Sequence, residues 1–197
     1  MLQGALLFVK NKLDQALVNG FELDESITVL NHLLQQDGSF PQKNQNKMVI
    51  TLINLDHETT RAYSTTHRRL SDGSFAKTES DALFNVTLLF TASFDDYEEA
   101  LKFLNATIAF FQATPSFNSK VTPGLPKGIK ALNFDIENTS FSETHNLWSA
   151  MGAKYQPSII YKVRHVAVQS GQLQGVIPGV VNIDTGLSPK GTQGPVS

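Results

Sequence analysis

Asn146 to Arg164 reads N-L-W-S-A-M-G-A-K-Y-Q-P-S-I-I-Y-K-V-R and holds the only tryptophan of a 197-residue chain. Leu147, Trp148 and Met151 make one apolar face of a short helix that starts near Ser140 or Ser142. Gly152 ends it, because glycine enters the left-handed stop conformation without a Cβ clash. Tyr155 and Pro157 set a corner, and Ser158 to Val168 runs on as a strand. Trp148 reads as a core anchor rather than an interface residue. Lys162 and Arg164 share one strand face, opposite Tyr161 and Val163. That face is either solvated or pairs with an acidic surface on a neighbour.

Working back from this stretch, residues 129–137 alternate, with Leu132, Phe134 and Ile136 inward. The segment before them carries the best-marked helix. Asp95 can cap it, Glu98 follows three residues later, and the acidic first turn suits the positive end of the helix dipole. Tyr97, Leu101, Leu104, Ile108 and Phe111 form one stripe; Ala100, Phe103, Thr107 and Phe110 form a second. Pro115 stops continuation. Residues 82–91 alternate as a strand, and Met48 to Leu55 is a strand apolar enough to be buried on both faces. Residues 26–36 mix strand and helix signals, and Ile27, Thr28 and Val29 tip the reading to strand. Leu2, Leu6, Val9, Leu13 and Leu17 line a first helix that Asn19-Gly20 would end.

The order helix, strand, strand, strand, helix, strand, helix, strand gives an α+β fold: a small, mostly antiparallel sheet flanked by helices. Residues 1–169 form the single domain. Residues 170–197, rich in Gly, Pro, Gln and Ser, form a flexible tail. Residues 58–80 are a long connection carrying Arg61, His67, Arg68, Arg69 and Lys77, and connections of that length are functional or disordered. D-G-S-F occurs at Asp37 and again at Asp72, each time as a turn.

Composition narrows function. A net charge of −2 removes any bulk argument for nucleic acid or an anionic membrane. The chain has no cysteine, which excludes disulfides, thiolate metal sites and cysteine nucleophiles together. The apolar start M-L-Q-G-A-L-L-F-V-K lacks a preceding positive charge and closes at Lys10, so it does not read as an export signal. No nucleophile elbow and no His-Glu-x-x-His pair occur. Gly124 to Lys130 lacks the Gly-Lys-Ser/Thr ending of a phosphate loop and reads as a loop entering a strand. Asp56-His57-Glu58 would point to alternate sides of a strand end rather than converge on a metal. These readings predict no catalytic residues, no cofactor and no metal.

Four stretches together carry a family resemblance: Asn146 to Arg164; F-D-D-Y-E-E-A-L-K-F-L-N-A-T-I-A-F-F-Q-A-T-P from Phe94 to Pro115; M-V-I-T-L-I-N-L from Met48; and L-P-K-G-I from Leu125. In this order they resemble the cap, or tail-terminator, proteins of extracellular contractile injection systems, the phage-tail-like particles of the antifeeding-prophage type. The resemblance implies a tail-terminator-like fold and a structural role rather than an enzyme. It implies a homo-oligomer, a hexameric ring, that closes the inner tube and sheath and ends their growth. Its partners would be the inner tube protein and the sheath protein, with neither nucleic acid nor membrane insertion. It would assemble in the cytoplasm and leave with the particle. Another ring or adaptor of the same particle, or an unrelated ligand-binding α+β module, is the alternative. The candidate interface residues are Arg61, Arg68, Arg69, Lys154, Tyr155, Lys162, Arg164, Ile177 and Val181.

Overall fold

The computed structural model describes residues 2–58, 66–69, 75–78, 82–168 and 173–177. The chain divides into two units, Met1–Ala62 with Asp81–Ser170, and Tyr63–Ser80 with Gly171–Ser197. The larger unit holds α1 (Leu2–Phe21), β1 (Thr28–Leu30), β2 (Lys47–His57), β5 (Ala82–Ser93), α2 (Tyr97–Ala113), β6 (Ser116–Asn118), β7 (Ala131–Ile136), α3 (Phe141–Ala150) and β8 (Ser158–Val168). The smaller holds β3 (Thr66–Arg69), β4 (Phe75–Thr78) and β9 (Leu173–Ile177).

The strands of the larger unit form one sheet in the order β1-β2-β5-β8-β7-β6. Only β1 and β2 run parallel; the other neighbours are antiparallel. The sheet is therefore mixed, and mostly antiparallel as the alternation implied. Side-chain alternation gives it two faces. Met48, Ile50, Val86, Leu88, Phe90, Tyr161 and Val163 pack in one core with α1 and α2. Val49, Leu89 and Ile160 point the other way, to Trp148 of α3 and Leu33.

An aromatic network binds the first face. Phe111 of α2 stacks on Phe134 at 4.5 Å and lies 4.8 Å from Tyr161 and 5.1 Å from Phe90. One helix side chain thus touches three strands, which ties the packing of α2 to the registers of β5, β7 and β8.

Two bulges set which side chains share a face. Leu52 pairs with Leu88 and Asn54 with Thr87, so Ile53 is extra in β2. Val163 pairs with Val86 and Val166 with Phe84, so two residues of β8 oppose Asn85. Each bulge holds apolar residues three apart on one face: Leu52 with Leu55, and Val163 with Val166. Strict alternation would have turned one of each pair away. Met48 to Leu55 is not buried on both faces throughout. Met48, Val49 and Ile50 are fully buried, whereas Leu52 and Leu55 are exposed.

Helix ends also differ from the sequence reading. α1 runs through Asn19-Gly20 to Phe21, and Glu22 takes the left-handed turn with φ 52°. The Leu23 N–H then donates to the Val18 carbonyl at 3.0 Å. Leu23 and Val18 both pack on the core, the apolar contact that accompanies such a stop. The cap of α2 is Asp96, which accepts from the Glu99 N–H; Asp95 instead accepts from Gln45 and Asn46 side chains. Tyr97 and Leu101, placed in an inward stripe by periodicity, are 66% and 45% exposed. Ile136, assigned inward, is exposed as well.

Asp14 on α1 closes a gap that periodicity does not reveal. Its Oδ1 accepts the backbone N–H groups of Ile27 at 2.9 Å and Thr28 at 2.7 Å. Ser26 donates to the same oxygen and Lys10 pairs with its mate. The clamp holds the short parallel edge strand against the first helix and leaves fewer donors at that edge for another chain.

In the smaller unit β4 pairs antiparallel with both β3 and β9. The long connection therefore contains two strands, which lack of periodicity did not anticipate. One strand also lies in the segment read as a tail, and it pairs with the connection: Phe75 opposite Ile177, Ala76 opposite Val176. The turn expected at Asp72 falls outside the described residues.

Candidate assembly surface

The corner that opened the sequence reading is built from its caps. Ser140 Oγ accepts the Glu143 N–H at 3.2 Å, and Glu143 Oε2 accepts the Ser140 N–H at 2.7 Å. Together they start α3, and these hydrogen bonds hold the Glu143 carboxyl below its ordinary pKa. α3 delivers Trp148, 4% exposed, onto Val49, Leu89 and Ile160. That burial matches the core-anchor reading.

Beside Trp148 lies a cleft of about 320 Å³, walled by Leu33, Leu34, Phe40, Trp148 and Ala153, with Lys154 and Gln156 also lining it. Two glycines shape it, Gly38 with φ 78° and Gly152 with φ 67°, values that disfavour any side chain. Asp37 Oδ1 accepts from both the Ser39 hydroxyl at 2.6 Å and the Ser39 N–H at 2.9 Å. Those bonds lower the Asp37 pKa and pin the loop that presents Phe40, which is 46% exposed. Tyr155, 66% exposed, sets its ring edge-on to Trp148 at 5.4 Å. Trp148 Nε1 and Gln156 Oε1 are both shielded and have no hydrogen-bond partner among the described residues.

Farther along the same sheet face the side chains become charged. Lys162 pairs with Asp56 at 3.7 Å, and Arg164 Nε donates to Asp135. The hydrogen bond and charge of Asp135, with Glu58 and Glu137 nearby, push the Arg164 pKa up. Asn85 donates to Glu58 at 2.9 Å. Lys162 and Arg164 do share a face, as their spacing required. Their acidic partners Asp56 and Asp135 lie in the same subunit, and the Arg164–Asp135 pair remains about half-exposed to solvent.

The other proposed interface residues separate. Arg68 and Arg69 lie on β3 and Ile177 on β9, in the smaller unit. Arg61 and Val181 fall outside the described residues. Lys154 and Tyr155 come together at the cleft, with Gln156 and Phe40, which sequence reading had not picked. Their only sequence signal is the pairing of a glycine stop with a glycine turn, and that does not say the two loops meet. Among the described residues no cluster of three or more His, Cys, Asp or Glu could hold a metal ion. No described helix is long and apolar enough to cross a membrane.

The Pvc16 N-terminal domain family model matches residues 8–182. The chain belongs to that family. No curated protein matches it. Among solved structures, the Pvc16-type fold is shared with the PVC sheath/tube terminator of an extracellular contractile injection system in the extended state. That match has a TM-score of 0.56 and 13% identity, and covers 93% of this chain and 64% of the other. The tube-terminating cap of the anti-feeding prophage matches with a TM-score of 0.56 and 14% identity, covering 98% of this chain and 63% of that one. The chain thus spans less than two-thirds of the length of either. The family and fold agree with the resemblance carried by the four sequence stretches.

Proposed function

We propose that this chain is a structural cap, or tail terminator, that closes the end of the tube and sheath of a contractile injection system. The observation that carries it is the family match over residues 8–182, on a fold that two such terminators share over 93% and 98% of this chain. The mechanism is surface matching. One side of a ring complements the last tube and sheath layer, and the other side does not repeat that surface, so growth stops. The ring is a hexamer and its partners are the inner tube and sheath proteins. It carries no catalytic role and contacts neither nucleic acid nor the membrane interior. It assembles in the cytoplasm and departs with the particle.

Residues 1–169 supply the domain that packs in the ring. The segment 170–197 reaches a partner, with Arg61, Arg68, Arg69, Ile177 and Val181 as contacts on the connection and tail. Alternating apolar residues there suit strand addition to a sheet edge, where main-chain pairing gives affinity. Electron microscopy of cells making the particles is the test. Without this chain, tubes should lose their uniform length and their terminal density. Capped tubes of normal length in its absence would end the proposal.

A further inference from the structure

We propose that the groove between α1 and the loop at residues 119–130 receives the acidic corner of the next copy of the chain, where α1 ends and α2 begins. The contact is head-to-tail; it deepens, and rests on, the ring reading. Charge is sorted along α1. The first 13 residues contain no Asp or Glu, and none occurs between Glu99 and Asp135. Those two segments meet. Gly4 lies against Pro126, and Gly4, Leu7, Phe8 and Lys12 with Pro123 and Pro126 line a groove of about 350 Å³. Lys12 is the one charged residue in that lining, and the loop beside it adds Lys120, Lys127 and Lys130. None of the four lysines forms an ion pair among the described residues.

The far end of α1 carries the opposite sign. Glu22, Asp24 and Glu25 follow the helix, and Asp95, Asp96, Glu98 and Glu99 lie at the start of α2. Phe21 packs on Phe103 at 4.7 Å and Lys102 reaches over the Phe21 ring, so both acidic runs share one corner. Lys47 pairs with Glu25 and Lys102 with Glu99; the other carboxylates there have no cationic partner among the described residues. α1 has no acidic residue in its first turn and no basic one in its last, so its own dipole adds to the same polarity. Gly4 and Phe21 lie about 25 Å apart along the axis, against a screening length of about 8 Å at physiological salt. The two ends therefore do not neutralise each other within one subunit, and the net charge of −2 hides their separation. A uniformly acidic partner would match the groove and leave the corner unmatched. A second copy of this chain matches both, and a closed ring of identical subunits needs two such different, complementary patches on each. Each patch also carries an exposed leucine, Leu7 at 42% and Leu101 at 45%, which gives the contact apolar area within a charged rim.

The test is a charge swap, read by sedimentation velocity on the full chain at about 0.05 M and about 0.5 M salt. Wild type should form a closed oligomer at the lower salt and loosen at the higher. Lys12→Glu with Lys127→Glu makes both patches acidic; Glu22→Lys with Asp24→Lys makes both basic. Each double variant should weaken self-association by at least about tenfold, because like charges then meet. Each should melt near wild type, since none of the four side chains belongs to an ion pair or to the core. An equimolar mixture of the two should regain the wild-type oligomer, with the variants alternating around the ring. That recovery separates a lost contact from a lost fold. A wild-type ring insensitive to salt and to both variants would overturn the contact and leave the ring reading standing. So would variants that dissociate alone and stay apart when mixed. A wild type that remains monomeric at every concentration would overturn the ring reading and this contact with it.

Discussion

On one face of β5, Val86, Leu88 and Phe90 are wholly buried beneath α1 and α2; on the other, Asn85, Thr87 and Thr91 flank Leu89. The first face is a continuous apolar layer with aromatic contacts from strand to helix. The second has a five-residue buried cluster around Trp148, then ion pairs. Among the described residues, buried polar atoms without partners divide unevenly as well. Asn85 Oδ1, Thr91 Oγ1, Trp148 Nε1 and Gln156 Oε1 lie on the second side, against Thr28 Oγ1 and the Tyr161 hydroxyl on the first. The helix face holds the fold together, while the α3 face carries more of the shielded polar atoms that lack a partner among the described residues.

The sharpest way to break this contrast is Phe111→Ala. It removes contacts to three strands at once and should cost about 4 kcal/mol in a urea melt. A loss no larger than that for the α3 face would erase the distinction. Trp148→Ala should cost about 3 kcal/mol, since its cluster is small and its N–H forfeits no hydrogen bond. An unchanged midpoint with failed assembly would move Trp148 from core to interface.

Asp14→Ala should cost about 2 kcal/mol, because two backbone N–H groups at the start of β1 lose a charged acceptor. Its pH dependence has a definite sign. Burial alone would raise the Asp14 pKa, but the bonds from Thr28, Ser26 and Ile27, with the charge of Lys10, bring it below 3.8. The folded carboxyl thus binds a proton less readily than the unfolded one. Its contribution is complete above the unfolded value and fades as pH falls through the folded value. Acid melts of wild type should lose stability there, and Asp14→Ala should lose less. Parallel acid profiles would show that the carboxylate is not the cause. Smallest of all, Arg164→Ala should cost under about 1 kcal/mol, because the pair with Asp135 is half-exposed. A larger loss would make the charged belt a part of the core.

Much of the element content was legible in order and type. The leucine spacing from Leu2 to Leu17 announced α1, the alternation around Val86 and Leu88 announced β5, and Leu147, Trp148 and Met151 ahead of the Gly152 stop announced α3. Each signal is local: a period of 3.6 or 2, or a cap within three residues, is written inside one segment. The four-stretch resemblance named the family because those segments occur in a fixed order. Of the candidate site, Lys154 and Tyr155 were legible as part of a corner; its partners were not. Phe40 and Gln156 meet only because α3 and the loop after β1 fold onto one sheet face.

The sequence by itself determined α1, α2 and α3 and the strands β2, β5, β7 and β8, where most of their apolar faces run, and that thiol chemistry is absent. Tertiary structure alone decided that Ile53 bulges, so that Leu52 and Leu55 share a face. It decided that Asp14 clamps β1, that Tyr97 stays outside the core, and that a strand of the tail pairs with a strand of the long connection. The physical reason is range. Periodicity and caps act between residues a few positions apart, whereas a bulge, a clamp or a cleft depends on which distant segment arrives opposite. Thr78 and Leu173 pair across more of the chain than any local pattern can see.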